Sequence, residues 1–339
     1  MDLAERLLQG DRRALARMVT LIENDAPEAR DYLAQLYLRS GRAHIIGVTG
    51  SPGAGKSTLV MQICRELRKR DLRVGVVAVD PSSPFSGGAI LGDRIRMQEL
   101  AGDPNVFIRS MASRGNLGGL AASTRDVVRA LDAAGYDLVI IETVGAGQAE
   151  VEIVRAAHTV LVVTVPGMGD DIQALKAGIL EIADIFVVNK ADRPGADQAA
   201  AELRMLLSLV EKQKRLAEQW RVPILKTSAT QNQGIAEVVD AMARHRAFLD
   251  ESGQMAQRNQ RQVRSEVLAL LQHSLMRRLQ RDVSEDEWNR LIDEIVERAA
   301  NPYSVADLLA RRIGLTAASE EVEGSATHSG GTTSPAFTS

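Results

Sequence analysis

A glycine-rich segment near the start of the chain has the residue types and the spacing of a phosphate-binding loop. It reads Gly50-Ser51-Pro52-Gly53-Ala54-Gly55-Lys56-Ser57 and continues with Thr58. The glycines let the backbone curl until successive N–H groups point into one hollow, which holds anionic oxygens. Lys56 is then placed to reach the β- and γ-phosphates, and the Ser57 hydroxyl to ligate Mg²⁺. The segment predicts binding of a nucleoside triphosphate.

A second polar segment, Asn189-Lys190-Ala191-Asp192, follows an apolar run and carries a short carboxylate. The Asp192 carboxylate can accept hydrogen bonds from both N1–H and N2–H₂ of guanine, whereas adenine offers no such pair of donors. A site that is built to hydrogen-bond its ligand discriminates against an analogue that lacks those groups by a factor of roughly 10⁴–10⁵. We therefore expect GTP to be preferred over ATP, with Lys190 lying along the base and Asn189 tying this segment to the phosphate loop.

The segment Thr227-Ser228-Ala229, which ends the last apolar run, strengthens the prediction of a guanine site. We expect Ser228 and Ala229 to lie beside the base, with the Ala229 N–H meeting the guanine O6. Taken alone, residues 189–192 are equally typical of a strand end followed by a polar turn. Their position downstream of a phosphate loop favours the guanine interpretation.

The segment Glu142-Thr143-Val144-Gly145 ends another apolar run. A carboxylate at this position suits a Mg²⁺ contact, usually through water, and the Gly145 N–H is placed to meet a γ-phosphate oxygen. Most GTP switches have aspartate here and a glutamine directly after the glycine, whereas this chain has Glu142 and places Gln148 three residues later. The alternative is an acid that caps the next helix.

Residues 80–97 form a long stretch with two acids that are candidates for the metal site. Asp80 closes a predicted strand and Asp93 opens a predicted helix, so both are expected to face the phosphates and the metal. A long, glycine-containing stretch suits a segment that the γ-phosphate orders and that hydrolysis releases. The alternative for Asp93 is a helix N-cap in a surface loop.

Two further polar loops, residues 109–119 and 166–176, are predicted at the same edge. Arg114 or Lys176 could supply positive charge in the transition state, an effect worth roughly 10³–10⁵ in rate where it operates. The alternative is that both are solvated loop charges. The predicted catalytic set is therefore Lys56, Asp93, Glu142 and Lys176.

The elements that must position these segments form an alternating pattern. Apolar, β-branched runs recur at residues 44–49, 73–79, 105–109, 136–141, 159–165, 184–188 and 222–227, and helical patterns lie between most of them. Near-continuous apolar strands are typical of a parallel sheet that is buried on both faces. We predict a three-layer α/β domain of the P-loop NTPase type, whose ligands bind beyond the carboxyl ends of the strands.

Helical patterns flank this domain on both sides. We predict a helical extension over residues 1–42, the nucleotide domain over 43–250, a helical dimerisation arm over 251–315 and a disordered tail over 316–339. Within the arm, Ser284 with Glu287 is expected to form a capping box, and Ser304 to cap a third short helix.

Composition excludes several functions. The net charge of the 339 residues is −3 and aromatic residues make up 3%, which argues against nucleic-acid binding and against a membrane surface. Cys64 is the only cysteine, so an internal disulfide and a multi-cysteine metal site are excluded. The five histidines are scattered, and we expect structural or exposed roles. No signal peptide or spanning run is evident, so we expect a cytoplasmic protein.

The order of segments resembles the MeaB/ArgK family of P-loop GTPases. The matching pieces are residues 50–57, 79–83, 91–94, 114–119, 142–145 with Gln148, 166–176 and 189–192. The phosphate loop and the guanine segment are common to related GTPases, whereas the Asp-Pro-Ser-Ser and Gly-Asp-Asp-Ile-Gln stretches are much more specific. The chain departs from the family pattern at Ile95, where a hydroxyl residue is expected.

The resemblance implies a homodimeric GTPase that hydrolyses GTP to GDP slowly with Mg²⁺. It also implies a chaperone role, in which the protein gates cofactor delivery to a cobalamin-dependent acyl-CoA mutase such as methylmalonyl-CoA mutase and protects it; the mutase's adenosyltransferase is a further candidate partner. Residues 80–97, the segment after Glu142, and residues 166–176 would be three switches. The alternatives are a metal-insertion GTPase for a nickel enzyme and a kinase linked to amino-acid transport.

Overall fold

The computed structural model describes residues 1–80, 100, 102–112, 117–143, 157–167, 182–213 and 220–314. Of the predicted site residues, Asp93, Gly145 and Lys176 lie outside this range, as does the side chain of Asp80. Arg114, Gln148 and the predicted tail at residues 316–339 lie outside it as well.

A seven-stranded parallel sheet forms the centre of the fold, in the order β3-β2-β4-β1-β5-β6-β7. Its strands β4, β5 and β6 are buried along their whole length, because helices cover both faces. The predicted α/β class with a parallel sheet is confirmed. The strands are β1 (His44–Gly50), β2 (Val74–Asp80), β3 (Val106–Ala112), β4 (Leu138–Thr143), β5 (Thr159–Thr164), β6 (Ile185–Val188) and β7 (Ile224–Lys226).

Ten α-helices and a short 3-10 helix (Ala229–Gln231) are described, and the α-helices of the sheet domain form two outer layers. On one face of the sheet, a single hydrophobic core includes α4 and α7. On the other face there are two cores. One includes α1, α2, α3 and α5, and the other includes α6. The helices are α1 (Leu3–Leu8), α2 (Arg12–Glu23), α3 (Pro27–Tyr37), α4 (Lys56–Lys69), α5 (Leu117–Ala133), α6 (Ala196–Gln213), α7 (Ile235–Glu251), α8 (Gln254–Asp282), α9 (Glu285–Val296) and α10 (Pro302–Arg312). None of them is long and apolar enough to cross a membrane.

The N-terminal helices pack on the sheet domain and are attached to it by a buried carboxylate. Asp132, at the end of α5, accepts hydrogen bonds from the backbone N–H groups of Gly41, Arg42 and Ala43 at 2.5, 3.1 and 3.0 Å. These residues lead directly into β1, so the carboxylate sets where the first strand begins. Asp11 caps α2, because its side chain accepts hydrogen bonds from the backbone N–H groups of Arg13 and Ala14.

The chain divides into two compact units, Met1–Glu266 and Val267–Ser339. The second unit has its own small core of Val283, Leu291, Val305 and Leu309. Ser284 accepts a hydrogen bond from the Glu287 N–H and is the N-cap of α9, which is one half of the predicted capping box; the Glu287 carboxylate pairs with Arg312. The prediction that Ser304 caps the last helix is wrong, because Asn301 accepts from the N–H groups of Tyr303 and Ser304 and is the N-cap.

Three histidines, His44, His158 and His245, are buried in the first unit, whereas His273 is exposed. Burial lowers the pKa of His44 to about 2 and that of His158 to about 4. Both imidazoles are therefore neutral in the folded chain at pH 5–7, whereas in the unfolded chain each gains a proton below its ordinary pKa of about 6.5.

Acidification should consequently destabilise this fold. Between pH 6.5 and 5 the unfolded chain binds more protons than the folded chain. Each of the two buried histidines should therefore lower the free energy of unfolding by about 2 kcal/mol as the pH falls to 5. Urea unfolding of the wild type and of a His44→Gln/His158→Gln variant at pH 7 and 5 measures this cost. The double variant should lose less stability than the wild type, and His273→Gln should behave as the wild type. Equal losses in all three proteins would contradict the prediction.

Candidate functional site

The predicted phosphate loop connects β1 to α4, and two of its glycines are required by geometry. A Cβ on Gly50, whose φ is 144°, would lie 2.0 Å from the carbonyl oxygen of Val163 on β5. A Cβ on Gly55, whose φ is 84°, would lie 2.7 Å from Nδ2 of Asn189. Both positions need glycine, since the backbone is left-handed and a neighbour lies at contact distance. The conformation of the phosphate loop is therefore restricted by β5 on one side and by the segment that carries Asn189 on the other.

Lys56 and Ser57 open α4 and point their polar atoms at this loop and at β4. The Lys56 ammonium is buried and donates to the carbonyls of Gly50 and Ser51 at 2.8 and 3.0 Å. The Ser57 hydroxyl donates to the buried carboxylate of Glu142, with an Oγ–Oε1 distance of 2.5 Å. The N-terminus of a helix also carries partial positive charge. The carboxyl ends of β1 and β4 therefore bring together the Lys56 ammonium, the N-terminus of α4, the Ser57 hydroxyl and the Glu142 carboxylate.

The amide of Asn189 joins three segments of the site. Its Nδ2 donates to the carbonyl of Ala54 at 2.8 Å. Its Oδ1 accepts from the Thr227 hydroxyl at 3.0 Å and from the Ala229 N–H at 3.2 Å. The predicted link from Asn189 to the phosphate loop is present in this geometry. The Ala229 N–H, predicted to meet a base oxygen, is directed at Asn189, so such a contact would have to share this donor.

Lys190 and Asp192 follow β6, at the same edge of the sheet as the phosphate loop. The Asp192 carboxylate accepts a hydrogen bond from the Ser228 hydroxyl at 2.7 Å, and this bond is the main reason that the pKa of Asp192 is lowered. The carboxylate is therefore ionised at neutral pH. Lys190 adopts a φ of 56° and its ammonium donates to the carbonyl of Gly53 at 2.8 Å.

Gly234 contributes to the site and was not singled out from the sequence. Its φ is 73°, and a Cβ there would lie 2.2 Å from the carbonyl oxygen of Lys226. Backbone hydrogen bonds between Ser228 and Gln233 close the loop that Gly234 ends. A glycine directly before the apolar pattern of α7 was the available signal, since glycine before a helix often marks such a turn.

The described part of the chain places most of the predicted residues at one edge of the sheet. These residues lie at or just beyond the carboxyl ends of strands: 50–58, Glu142, 189–192 and 227–229. Asp80 ends β2, where Val79 pairs with Thr143 of β4, so its backbone lies at this edge as well. No group of three His, Cys, Asp or Glu side chains suited to a metal ion occurs among the described residues.

This parallel sheet, with a glycine loop and helix terminus after its central strand, defines a P-loop nucleotide-binding protein. A family model described as "Methylmalonyl Co-A mutase-associated GTPase MeaB" matches residues 15–284. The chain belongs to this family, and it is a P-loop GTPase.

Relatives in several organisms resemble most of the chain. A protein of Pyrococcus abyssi named as a GTPase is 48% identical over 312 residues, covering 92% of this chain and 96% of its own length. GTPase ArgK of Escherichia coli is 40% identical, covering 76% and 79%. The mouse "Methylmalonic aciduria type A homolog, mitochondrial" is 33% identical, covering 89% and 77%. A crystal structure described as "LAO/AO transport system kinase" is 28% identical, with a TM-score of 0.68 and coverage of 92% and 96%.

Substitution of Gly55 by alanine, compared with a matched control, should distinguish the effect of backbone strain from the effect of losing the Asn189 contact. Gly55→Ala forces Asn189 away from the loop, and the lost hydrogen bonds, at about 1–3 kcal/mol, correspond to about a tenfold to hundredfold loss of guanine-nucleotide affinity. Gly10→Ala is the matched control, because Gly10 has a φ of 82° and open space around its Cβ position.

Both variants should lose about 1–2 kcal/mol of stability from left-handed strain, Gly55→Ala should lose a further contribution from the Asn189 contact, and only Gly55→Ala should lose affinity. Titration calorimetry with GDP and thermal unfolding measure the two quantities. Wild-type affinity in Gly55→Ala would show that the contact with Asn189 does not support binding.

Proposed function

We propose that the described edge of the sheet binds GTP with Mg²⁺, with the triphosphate on residues 50–58 and the guanine between Lys190 and Asp192. The supporting observation is the distribution of charge at this edge. Lys56 and the N-terminus of α4 supply positive charge on one side, and the ionised Asp192 lies on the other. The Asn189 amide connects the two sides. An anionic tail and a base with two neighbouring N–H donors match this arrangement.

The proposed Mg²⁺ ligand is the hydroxyl of Ser57, with the Glu142 carboxylate next to it. Hydroxyl and carboxylate oxygens are ligands that Mg²⁺ prefers, and the ion usually keeps several waters and phosphate oxygens. The 2.5 Å contact between Ser57 and Glu142 places both oxygens where one ion could meet them. Asp80 and Asp93 remain proposed metal-site residues.

In hydrolysis, the chain's own groups would act by positioning and by charge. The ammonium of Lys56 would neutralise charge on the β- and γ-phosphates, and the loop N–H groups, with the proposed Gly145 N–H, would hold their oxygens. Bound Mg²⁺ would stabilise the charge that develops on the bridging oxygen. Lys176 or Arg114 remains the proposed source of further positive charge.

Asp192→Asn tests the proposed base contact. An amide in place of the carboxylate cannot accept two hydrogen bonds from guanine but suits the extra carbonyl of xanthine, so GTP affinity should fall by about 100-fold or more and xanthosine triphosphate should bind better. Asp197→Asn is the control, since Asp197 is an exposed neighbour that pairs with Lys226. Calorimetric titration of each variant with both nucleotides measures the preference. An unchanged preference in Asp192→Asn would refute this role of Asp192.

We further propose that the protein is a chaperone of a cobalamin-dependent acyl-CoA mutase such as methylmalonyl-CoA mutase. The support is the description of the matching family, which names a mutase-associated GTPase, together with the name of the mouse relative. A GTPase with this role would couple its nucleotide state to cofactor loading and protection of the mutase. The mutase's adenosyltransferase is a second proposed partner, and the cytoplasm is the proposed location.

The mutase proposal predicts mutual effects on rate and affinity. Adding the purified mutase should raise the rate of GTP hydrolysis or change the nucleotide affinity by about fivefold or more, the usual range of such coupling. Phosphate release and nucleotide titration with and without the mutase measure both. Lys56→Ala should abolish hydrolysis while the domain remains folded. A mutase that alters neither quantity would exclude this partner.

The long helix α8 supports a proposal of homodimerisation. Its apolar residues Val267, Leu268, Leu270, Leu271 and Met276 each expose about half or more of their surface. An exposed apolar stripe of this kind is typical of an interaction surface, and a second copy is the proposed occupant. Sedimentation velocity should give a dimer for the wild type, and Leu271→Glu should shift it to the monomer. A wild-type monomer at micromolar concentration would refute the proposal.

A further inference from the structure

A buried polar cluster lies at the edge of the sheet opposite the phosphate loop. His44 begins β1, Thr159 begins β5, and Asp184 directly precedes β6. His245, from α7, reaches the same point and is fully buried. Arg258, from the second turn of α8, closes the cluster with a side chain that is 30% exposed. The motifs of the nucleotide site account for none of these residues.

The cluster is a continuous chain of short contacts. The Thr159 hydroxyl lies 2.7 Å from Nε2 of His44 and 2.8 Å from Nδ1 of His245. Nε2 of His245 lies 3.3 Å from the Asp184 carboxylate. Arg258 donates two hydrogen bonds to that carboxylate, at 2.8 and 3.0 Å, and one to the carbonyl of His158 at 2.7 Å. A bidentate pair of this kind is among the stronger and more directional contacts in proteins.

Asp184 carries the negative charge of this cluster, and Arg258 carries the positive charge that balances it. Burial raises the pKa of Asp184, but its contacts with His245 and Arg258 lower the pKa by more, so the carboxylate stays ionised.

Each element that enters the cluster leads to the nucleotide edge at its other end. β1 runs from His44 to Gly50, and β6 (Ile185–Val188) lies between Asp184 at one end and Asn189 at the other. The helix α7 begins directly after Gly234 and carries His245. Because closely packed interiors transmit strain, a shift of the phosphate loop relative to Asn189 would also displace the cluster residues. Arg258 is the one member of the cluster that α8 supplies.

We propose that the contact of Arg258 with Asp184 is a latch that links nucleotide binding to the docking of residues 254–266, the first part of α8, on the sheet domain. Binding of nucleotide would align the amino-terminal ends of β1 and β6 and would thereby favour the bidentate contact between Arg258 and Asp184. By reciprocity, the docked segment would raise nucleotide affinity by the same factor. The inference rests on guanine-nucleotide binding and not on the identity of a mutase partner.

The latch is suited to switching because one side is buried and the other is within reach of water. Asp184 also accepts the Val160 N–H at 2.9 Å, so it stays in place when Arg258 leaves. The guanidinium of Arg258 can exchange the carboxylate for solvent. Trp220 reports on this state, since its indole N–H donates to the Asp184 carbonyl at 2.7 Å and its ring lies 4.7 Å from that of His245.

The test uses the full chain with Arg258→Gln, and with Arg261→Gln as the matched control, an exposed arginine of the same helix. Hydrogen exchange of residues 254–266 is measured with and without GDP and Mg²⁺, and GDP affinity is measured by calorimetry. A Trp288→Phe background leaves Trp220 as the only tryptophan, so its emission follows the cluster directly. Thermal unfolding establishes that each variant is folded.

In the wild type and in Arg261→Gln, GDP should slow exchange in residues 254–266 and change the emission of Trp220. In Arg258→Gln both responses should be lost, and GDP affinity should fall about fivefold or more. A purely structural role would lower the unfolding temperature without removing the nucleotide dependence of exchange. If folded Arg258→Gln binds GDP as tightly as the wild type and its hydrogen exchange still responds to GDP, the latch proposal is wrong, whereas the proposed nucleotide site is unaffected. Absence of any GDP binding to the wild type would overturn both the latch and the proposed nucleotide site.

Discussion

The side-chain amide of Asn189 is the interaction on which the arrangement of the nucleotide edge depends. It contacts the carbonyl of Ala54, the hydroxyl of Thr227 and the N–H of Ala229. One planar group thereby sets the spacing between the loop that would hold the phosphates and the two loops that would hold the base. Because all three contacts are buried, losing one leaves a polar group without compensation, which costs about 1–3 kcal/mol. The distance between the two halves of the site is therefore strongly constrained.

The opposite edge of the sheet uses the same principle with charged groups. Asp184 is buried but has hydrogen bonds from Arg258 and from the backbone of Val160. Such pairs contribute little net stability and are costly to break on one side only. Their value here is geometric, since they fix the amino-terminal ends of β5 and β6 against residues 254–266, the part of α8 that belongs to the first unit. Both edges of one sheet are thus organised by side chains that satisfy several partners at once.

Local patterns in the chain predicted the seven strands, the parallel sheet and the phosphate loop. These features are readable because buried strands need continuous apolar runs, and a loop around phosphate needs glycines at set positions. The cap of α10 was predicted wrongly because Ser304 and Asn301 are both good capping residues, and their spacing alone does not rank them. Likewise, the role of the Ala229 N–H was assigned to a ligand, although Asn189 competes for the same donor.

The sequence by itself determined the class of fold, the family and the residues that carry the guanine and phosphate motifs, because each of these depends on residue types close together in the chain. Only the tertiary structure decided which distant groups meet. Ser57 pairs with Glu142, Asp192 with Ser228, and Arg258 with Asp184. Such pairs arise from strand register and helix packing, which bring together residues far apart in sequence, and no local pattern in the chain encodes those distances.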